Sequence, residues 1–216
     1  MNRIATYFGA LALLVGGVSL AHAAAFTNGS FETGTTSPGS FTTLYAPDTS
    51  ITGWTVIGAG ETPSIDYIGS YWTASDGVRS LDLSGLSKGG VSQTFDTVFG
   101  QQYSVSFDVA GNPDKTYNKV LGFTLSVGPA IADITFVQGA NTKASMGWLT
   151  YSYSFVANAV STTLSFLSKT DPDCCWGPAL DNVRVSAVPI PAALPLLGAG
   201  LVALGAFARR RRPQVA

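Results

Sequence analysis

Short runs in the middle of the chain alternate strictly between apolar and polar residues. In 103–109, Tyr, Val, Phe and Val occupy every second position, with Ser, Ser and Asp between them, and 121–127 and 151–155 follow the same rule. Successive side chains of a strand point to opposite faces, so each run predicts a half-buried β-strand. No stretch has a helical apolar stripe long enough to be convincing, which excludes the alternating strand–helix folds.

About ten β-prone runs are separated by turn residues, and no repeat of fixed period connects them. This spacing predicts an all-β sandwich, most simply a jelly roll. The predicted strands are Ile51–Ile57, Ser64–Ile68, Ser80–Leu83, Gly90–Phe95, Gln102–Val109, Val120–Val127, Ile134–Val137, Trp148–Val156, Thr162–Leu167 and Asp181–Val185.

Composition divides the 216 residues into a central domain and two apolar ends. The apolar excess lies largely in 4–25 and 188–208, although only 12% of the whole chain is charged. Five of the 12 basic residues, Arg3 and 209–212, lie outside the predicted domain 24–186. The domain therefore has seven basic and 13 acidic residues and a net charge of −6. That sign disfavours a nucleic acid as partner. The domain is long enough for one hydrophobic core.

Residues 1–23 have the layout of a secretory signal peptide. Arg3 precedes the apolar run Ile4–Leu20, and Ala21-His22-Ala23 matches a small-residue cleavage site. The alternative is an N-terminal membrane anchor. Cleavage after Ala23 would remove the only histidine of the chain. The processed protein could then hold neither a catalytic triad with histidine nor a histidine zinc site.

The C-terminal segment, 187–216, combines three elements in a fixed order. Val188-Pro189-Ile190-Pro191 is followed by the apolar run 192–208 and then by Arg209, Arg210, Arg211 and Arg212. Seventeen residues in a helix reach about 25 Å, just enough to cross a bilayer core, and the arginines favour a cytoplasmic end. This predicts a single transmembrane helix with the domain outside the cytoplasm.

This segment resembles the PEP-CTERM sorting signal of Gram-negative bacteria. The resemblance implies that an exosortase-type enzyme cuts near the proline motif. The protein would then pass from the inner membrane to the outer surface or the extracellular matrix. Ile190 departs from the usual pattern, which has Glu between the two prolines. The alternative is an ordinary anchor that is never cut.

The central domain resembles the choice-of-anchor C family of exported proteins over about 28–186. That family is defined by sequence and by its varied C-terminal anchors, so the resemblance implies export without implying an activity. The residues that carry it are Asn28-Gly29-Ser30-Phe31-Glu32, Gly53-Trp54-Thr55-Val56, Ser64-Ile65-Asp66-Tyr67-Ile68, Ala74-Ser75-Asp76-Gly77, Ser80-Leu81-Asp82-Leu83, Gly90-Val91-Ser92-Gln93-Thr94-Phe95, Gly111-Asn112-Pro113 and Gly177-Pro178-Ala179-Leu180-Asp181-Asn182-Val183.

The first and last of these runs are also similar, more loosely, to galactose-binding-like jelly rolls, which include many carbohydrate-binding modules. In those modules a Glu and an Asp from the first and last strands commonly hold a structural calcium ion. The resemblance therefore implies that Glu32 and Asp181 bind Ca²⁺. The alternative is that Glu32 caps a turn and Asp181 accepts an ordinary backbone hydrogen bond.

Cys174 and Cys175 are adjacent, and an exported protein meets oxidising conditions. Three interpretations follow from the residues: a strained disulfide between the two neighbours, cross-links to another chain, or two free thiols. The first is favoured. No Cys-x-x-Cys spacing indicates a redox catalyst.

Aromatic residues near acidic ones are the remaining candidates for chemistry. Asp66, Tyr67, Tyr71 and Trp72 form the most binding-like group, because Tyr and Trp rings stack on sugars while carboxylates bond hydroxyls. The alternative is that aromatic residues fill the core, as expected for Trp54.

Three functions are therefore compared. The first is an exported, non-catalytic β-sandwich that binds carbohydrate or a matrix polymer of a biofilm. The second is a structural or adhesive surface protein with protein partners. The third is an enzyme that cleaves glycans with a pair of carboxylates. The acidic candidates for that third function are Glu61, Asp66, Asp76, Asp82 and Asp108.

Overall fold

The structure is a computed structural model that describes residues 25–58, 60–114, 120–169 and 175–189. Within these ranges the regular structure consists of eleven strands. The strands are β1 (Phe41–Tyr45), β2 (Thr55–Gly58), β3 (Ser64–Ile68), β4 (Ser80–Asp82), β5 (Gly89–Asp96), β6 (Gln102–Gly111), β7 (Val120–Val127), β8 (Ala130–Val137), β9 (Leu149–Val156), β10 (Ser161–Ser168) and β11 (Pro178–Ala187).

The strands form two antiparallel sheets that pack face to face. One sheet has six strands in the order β1-β3-β4-β11-β6-β9, and the other has five in the order β2-β5-β10-β7-β8. The predicted all-β sandwich is thereby confirmed. Strands distant in sequence lie side by side, as β4, β11 and β6 do, which is the arrangement expected of a jelly roll.

Alternation places the core between the sheets, as the sequence predicts. In β6, Val105, Phe107 and Val109 are fully buried, and in β7 Phe123 and Leu125 are too. The rings of Phe107, Phe123 and Phe166 of β10 lie 5.1–5.7 Å apart between centroids and tie the two sheets together. Trp54 also packs inside, at 2% exposure, as predicted.

Two predicted strands begin at a different residue from the observed ones, each for a local reason. The predicted strand Ile51–Ile57 begins only at Thr55, because a turn intervenes in which Gly53 has a φ of +83°. Strand β8 begins at Ala130 rather than at Ile134, because a two-residue turn with Gly128 at a φ of +56° returns the chain at once. Strand β1 is absent from the prediction.

Strand β11 contains the irregularity that matters most for the outer face of its sheet. Its pairing with β6 shifts register between Asp181 and Arg184, where Asn182 has a φ of +51°. The extra residue of this bulge leaves Asp181 pointing outward while Val183 still enters the core.

The terminal predictions lie almost wholly outside the described residues. The signal peptide 1–23, Ile190, Pro191, the apolar run 192–208 and the arginines 209–212 are not part of the described structure. Among the residues that are described, no helix is long and apolar enough to cross a membrane.

Candidate functional site: an aromatic, acidic pocket on the six-stranded sheet

Two loops cover the outer face of the six-stranded sheet and shape the site. The loop after β3 is bonded to the loop before β9, where the Thr73 amide donates to the Lys143 carbonyl at 2.8 Å. Trp72 is 4% exposed and anchors the first loop, because its indole Nε1 donates to Ser80 Oγ at 2.8 Å. Around it lies a second, smaller apolar cluster on this face: Ile68, Trp72, Ala110, Met146 and Ala179.

Beside Trp72 the loops leave a pocket of about 260 Å³. Its walls are largely aromatic, since Phe41, Tyr71 and Trp176 line it together with Trp72. Phe41 is 44% exposed, so one wall is open to solvent. Polar groups form the remainder of the lining: Thr43, Asp66, Asp82, Asn112 and Asp114. Aromatic walls with a few convergent polar groups are typical of a ligand site.

The floor of the pocket holds two carboxyl groups on neighbouring strands. Asp66 of β3 and Asp82 of β4 are directly opposite each other in the antiparallel register and point to the same face. Such pairs have Cβ atoms about 5 Å apart. Asp66 accepts a hydrogen bond from Thr43 Oγ1 of β1 at 2.6 Å. The row Thr43–Asp66–Asp82 thus crosses three strands.

Asp82 is fully buried and organises its surroundings. Its Oδ1 accepts the amides of Ser84 at 2.8 Å and Gly177 at 3.0 Å, and its Oδ2 accepts Asn112 Nδ2 at 2.8 Å. These bonds join β4, the end of β6 and the segment that precedes β11. Asp82 is therefore the structural centre of the pocket floor, whereas Asp66 is the half-buried carboxyl that a ligand can reach.

Burial sets the protonation of this pair. It raises the pKa of Asp82 to about 7, and the three hydrogen bonds and the nearby charge of Asp66 only modify that effect. Burial also raises the pKa of Asp66, against the opposing effect of the Thr43 hydroxyl. Among the described residues neither carboxyl takes part in an ion pair. The pocket floor therefore gains a proton more readily than ordinary carboxyl groups do.

A polar rim fixes the ring of Tyr71. Its hydroxyl donates to Asp114 Oδ2, and Lys143 Nζ lies 3.1 Å from Asp114 Oδ1 and 3.7 Å from the centroid of the Tyr71 ring. Phe41 contacts the same ring edge to face at 5.1 Å. One face of Tyr71 is thus already covered by an ammonium group, and a sugar stacking there would displace Lys143.

Glu32 and Asp181 face the last part of the loop after β3, on the same side of the sheet. Glu32 Oε1 accepts the amides of Val78 and Arg79 at 2.7 and 2.8 Å. Asp181 Oδ2 accepts the amides of Ser75 and Asp76 at 2.7 and 2.9 Å. The two carboxylates therefore hold the segment 75–79 from both sides.

Asp181 and Asp108 have opposite titration behaviour although they lie side by side. Burial raises the pKa of Asp181 to about 7, against its backbone hydrogen bonds. Burial would also raise the pKa of Asp108, yet hydrogen bonds from Ser75, Thr150 and Asn182 outweigh it and lower the pKa. Asp108 thus remains ionised under conditions in which Asp181 takes up a proton.

The described donors do not assemble a calcium shell around Glu32 and Asp181. No group of three or more Asp, Glu, Cys or His among the described residues could hold a metal ion. Calcium takes six to eight oxygens, whereas Glu32 Oε1 and both oxygens of Asp181 already accept backbone amides. These hydrogen bonds match the alternative given above, in which Glu32 caps a turn and Asp181 accepts backbone hydrogen bonds. Calcium binding stays a prediction.

The structure brings three of the four predicted ligand-binding residues together. Asp66, Tyr71 and Trp72 line one pocket. Tyr67 does not, because it occupies the opposite face of β3 from Asp66 and is fully buried in the core. Its hydroxyl donates to the Phe31 carbonyl and accepts from Arg79. The structure therefore places Tyr67 in the core and outside this pocket.

The cysteine and sorting residues are described only in part. Cys175 is disulfide-bonded and has a φ of +84°, and its carbonyl accepts Asn112 Nδ2 at 3.3 Å. Cys174 lies outside the described residues. Val188 continues the pairing of the chain, because its amide donates to the Gln102 carbonyl at 2.8 Å, and Pro189 after it is exposed.

Sequence reasoning missed Phe41, Thr43 and Asn112 as parts of this site. Phe41 and Thr43 belong to the strand that the prediction lacks, and they reach the pocket only because β1 pairs with β3. Asn112 stands in a run that carries the family resemblance and is followed by Pro113, a pattern typical of a strand end. Nothing in that pattern indicates its bond to Asp82.

Fold and site together define a class: an antiparallel two-sheet sandwich with an aromatic, acidic pocket on the outer face of one sheet. The chain belongs to the family described as "Protein of unknown function (DUF642)", whose profile matches residues 24–186. Halomucin of Haloquadratum walsbyi is 32% identical over 198 residues. That match covers 89% of this chain and 2% of halomucin.

Several solved structures are similar at low identity. TmCBM61 in complex with beta-1,4-galactotriose has a TM-score of 0.46 at 14% identity, covering 76% of this chain and 97% of that one. A CBM4 structure has a TM-score of 0.46 at 12% identity, covering 75% and 99%. CBM35 from Paenibacillus barcinonensis has a TM-score of 0.44 at 15% identity, covering 68% and 99%. At these values no ligand is transferred to this chain.

Proposed function

We propose that this protein is an exported, surface-held and non-catalytic β-sandwich that binds a carbohydrate of the extracellular matrix. The pocket of about 260 Å³ carries the proposal, because aromatic walls and a reachable carboxyl group converge in it. Phe41, which is 44% exposed, offers an aromatic surface for the C–H side of a sugar, and Asp66 offers an oxygen that accepts hydroxyl groups.

The acidic lining of the pocket limits which sugars it is expected to bind. Asp66, Asp82 and Asp114 line the pocket, and Lys143, which covers the Tyr71 ring, is already paired with Asp114. Like charges repel, so a uronic acid or a sulfated sugar would meet an unfavourable field. Neutral and amine-bearing sugars are the expected ligands, and anionic polymers such as alginate are expected to bind worst.

A glycan screen at pH 7.5 tests the proposal. Binding to a neutral or amine-bearing polysaccharide should weaken at least tenfold in Asp66→Asn and in Phe41→Ala. Phe99→Ala is the matched control, because Phe99 is exposed but lies in the turn before β6, which does not line the pocket. Equal binding by all three variants would place the ligand elsewhere, and the absence of any glycan binding would refute the proposal.

Glycan cleavage is the second candidate, since two opposed carboxyl groups with raised pKa values lie in one pocket. A retaining glycosidase has its two carboxyl groups about 5 Å apart. Against it stands the role of Asp82, whose oxygens are taken up by three structural hydrogen bonds. Release of reducing sugar that is lost in Asp66→Asn would favour cleavage over binding.

Export and surface attachment belong to the same proposal. The support is the order of elements in the sequence: a signal peptide over 1–23 and, after the domain, the sorting segment 187–216. An exosortase-type enzyme and the inner membrane are thus proposed partners before processing. Cell fractionation with mass determination of both termini tests this, and an unprocessed chain in the cytosol would contradict it.

A further inference from the structure

Two neighbouring turns expose unusually large apolar side chains. Phe99 is 71% exposed and Val98 66% in the turn between β5 and β6, and Val160 is 74% exposed in the turn before β10. The two turns are bonded to each other, because the Thr97 amide donates to the Val160 carbonyl at 3.0 Å and the Gly100 amide to the Ala157 carbonyl at 2.7 Å. We call this surface, formed by 97–101 and 157–160, the apolar end.

Local backbone geometry holds Phe99 at the tip. The Gln101 amide donates to the Val98 carbonyl at 3.0 Å, and Gly100 has a φ of +78°, which together define a type II turn with Phe99 at its second position. That position commonly holds proline and is turned toward solvent. A phenylalanine there gains nothing from the core, so its exposure calls for an apolar partner outside the domain.

The chain leaves the domain beside the same turn. Val188 is fixed there by two hydrogen bonds, one from its amide to the Gln102 carbonyl at 2.8 Å and one from Gln101 Nε2 to its own carbonyl at 2.6 Å. The apolar run 192–208 begins four residues further on. Four extended residues reach at most about 14 Å.

The apolar end also lacks charge. None of the residues in 97–101, 157–160 and 187–189 is acidic or basic, and neither is any residue of the adjacent turn 128–131. A lipid interface accepts exposed Phe and Val side chains but penalises buried charges.

We propose that the apolar end is a membrane-contacting surface, which rests on the lipid bilayer while 192–208 anchors the chain. The short tether keeps Val98, Phe99 and Val160 at the bilayer interface, where their side chains insert among the lipid head groups. Because no basic residue takes part, contact depends on apolar insertion and not on anionic lipid. The surface is separate from the sugar pocket, so the result for sugar binding does not bear on it, but the inference rests on the proposed membrane anchor 192–208.

The test uses the full chain reconstituted in vesicles of phosphatidylcholine, with Phe99→Cys labelled by an environment-sensitive fluorophore. Cys175 is disulfide-bonded, and the chain without an introduced cysteine, labelled in parallel under non-reducing conditions, gives the background to subtract. The matched control is Leu149→Cys, which is 46% exposed at the other end of its strand from Val156. Lipids brominated in the acyl chain should quench the label at 99 at least threefold more than the label at 149.

Three further arms make the outcome decisive. Replacing phosphatidylcholine by phosphatidylglycerol should leave the quenching unchanged, and adding Val98→Ser and Val160→Ser should reduce it. Val160→Cys repeats the measurement if Phe99→Cys does not fold. Equal quenching at 99 and 149, or none at 99 in a chain that floats with the vesicles, would overturn the proposal. Quenching that disappears when the chains are diluted in lipid would identify a second copy as the occupant.

Discussion

The two buried aspartates predict an unusual dependence of folding stability on pH. Burial raises the pKa of both Asp82 and Asp181 to about 7, from an ordinary value of 3.8. Between these values the native state binds more protons than the unfolded chain does. The free energy of unfolding should therefore rise as the pH falls from 8 to 5, opposite to ordinary acid denaturation.

The size of the effect follows from the shift. A pKa near 7 in the native state and near 3.8 in the unfolded chain corresponds to roughly 2 to 3 kcal/mol per group between pH 8 and pH 5. Asp66, whose pKa is also raised, adds to the same trend. The lowered pKa values of Asp108 and Asp133 act with the opposite sign, but their contribution is lost only below about pH 4.

Urea denaturation at pH 8, 7, 6 and 5 measures this slope. Asp82→Asn should remove its share of the slope, whatever it does to absolute stability, because asparagine does not titrate. Asp133→Asn is the control, since Asp133 is exposed and pairs with Lys169 at 2.6 Å on the other sheet. If the free energy of unfolding instead stays constant or falls between pH 8 and pH 5, that result would refute the inference that Asp82 and Asp181 are buried without a cationic partner.

Three more outcomes are expected. Tyr67→Phe should lower the free energy of unfolding by about 2 kcal/mol, because the buried Phe31 carbonyl loses its hydrogen-bond donor. Thermal denaturation measures this loss, and an unchanged Tm would contradict the hydrogen bond. Gly177→Ala should lower Tm whereas Gly139→Ala should not, since a Cβ at 177 would lie 2.6 Å from Asp82 Oδ1 and a Cβ at 139 would meet nothing within 4 Å. Chelation should lower Tm if calcium binds at Glu32 and Asp181. An unchanged Tm would mean that hydrogen bonds from backbone amides to Glu32 and Asp181 hold the segment 75–79 without a metal ion.

Much of the fold could be predicted because one side of each sheet faces a core. Strict alternation in 103–109 and 121–127 follows directly from that asymmetry, and the structure confirms both. Strand β1 escaped prediction for the converse reason: as an edge strand it buries only Leu44, and its other positions carry no pattern. Edge strands are specified by their neighbours more than by their own residues.

The site was only partly predictable because it depends on register. Asp66, Tyr71 and Trp72 could be selected by residue type, but the pairing of Asp66 with Asp82 and Thr43 arises from strand contacts that no local pattern encodes. The inward orientation of Tyr67, by contrast, follows from the sequence. Ile65 and Tyr67 are two positions apart in a strand and share a face, so an inward Ile65 implies an inward Tyr67.

The two proposed surfaces lie at opposite ends of β11. The strand begins at Pro178, directly after the pocket residue Trp176, and ends at Ala187, directly before the fixed residue Val188. Ten residues of extended chain span about 33 Å. If the apolar end rests on a bilayer, the pocket lies about 30 Å away from it along β11, on the outer face of the sheet. That separation keeps the sugar site clear of the head groups, and the reverse orientation would bring the site against them.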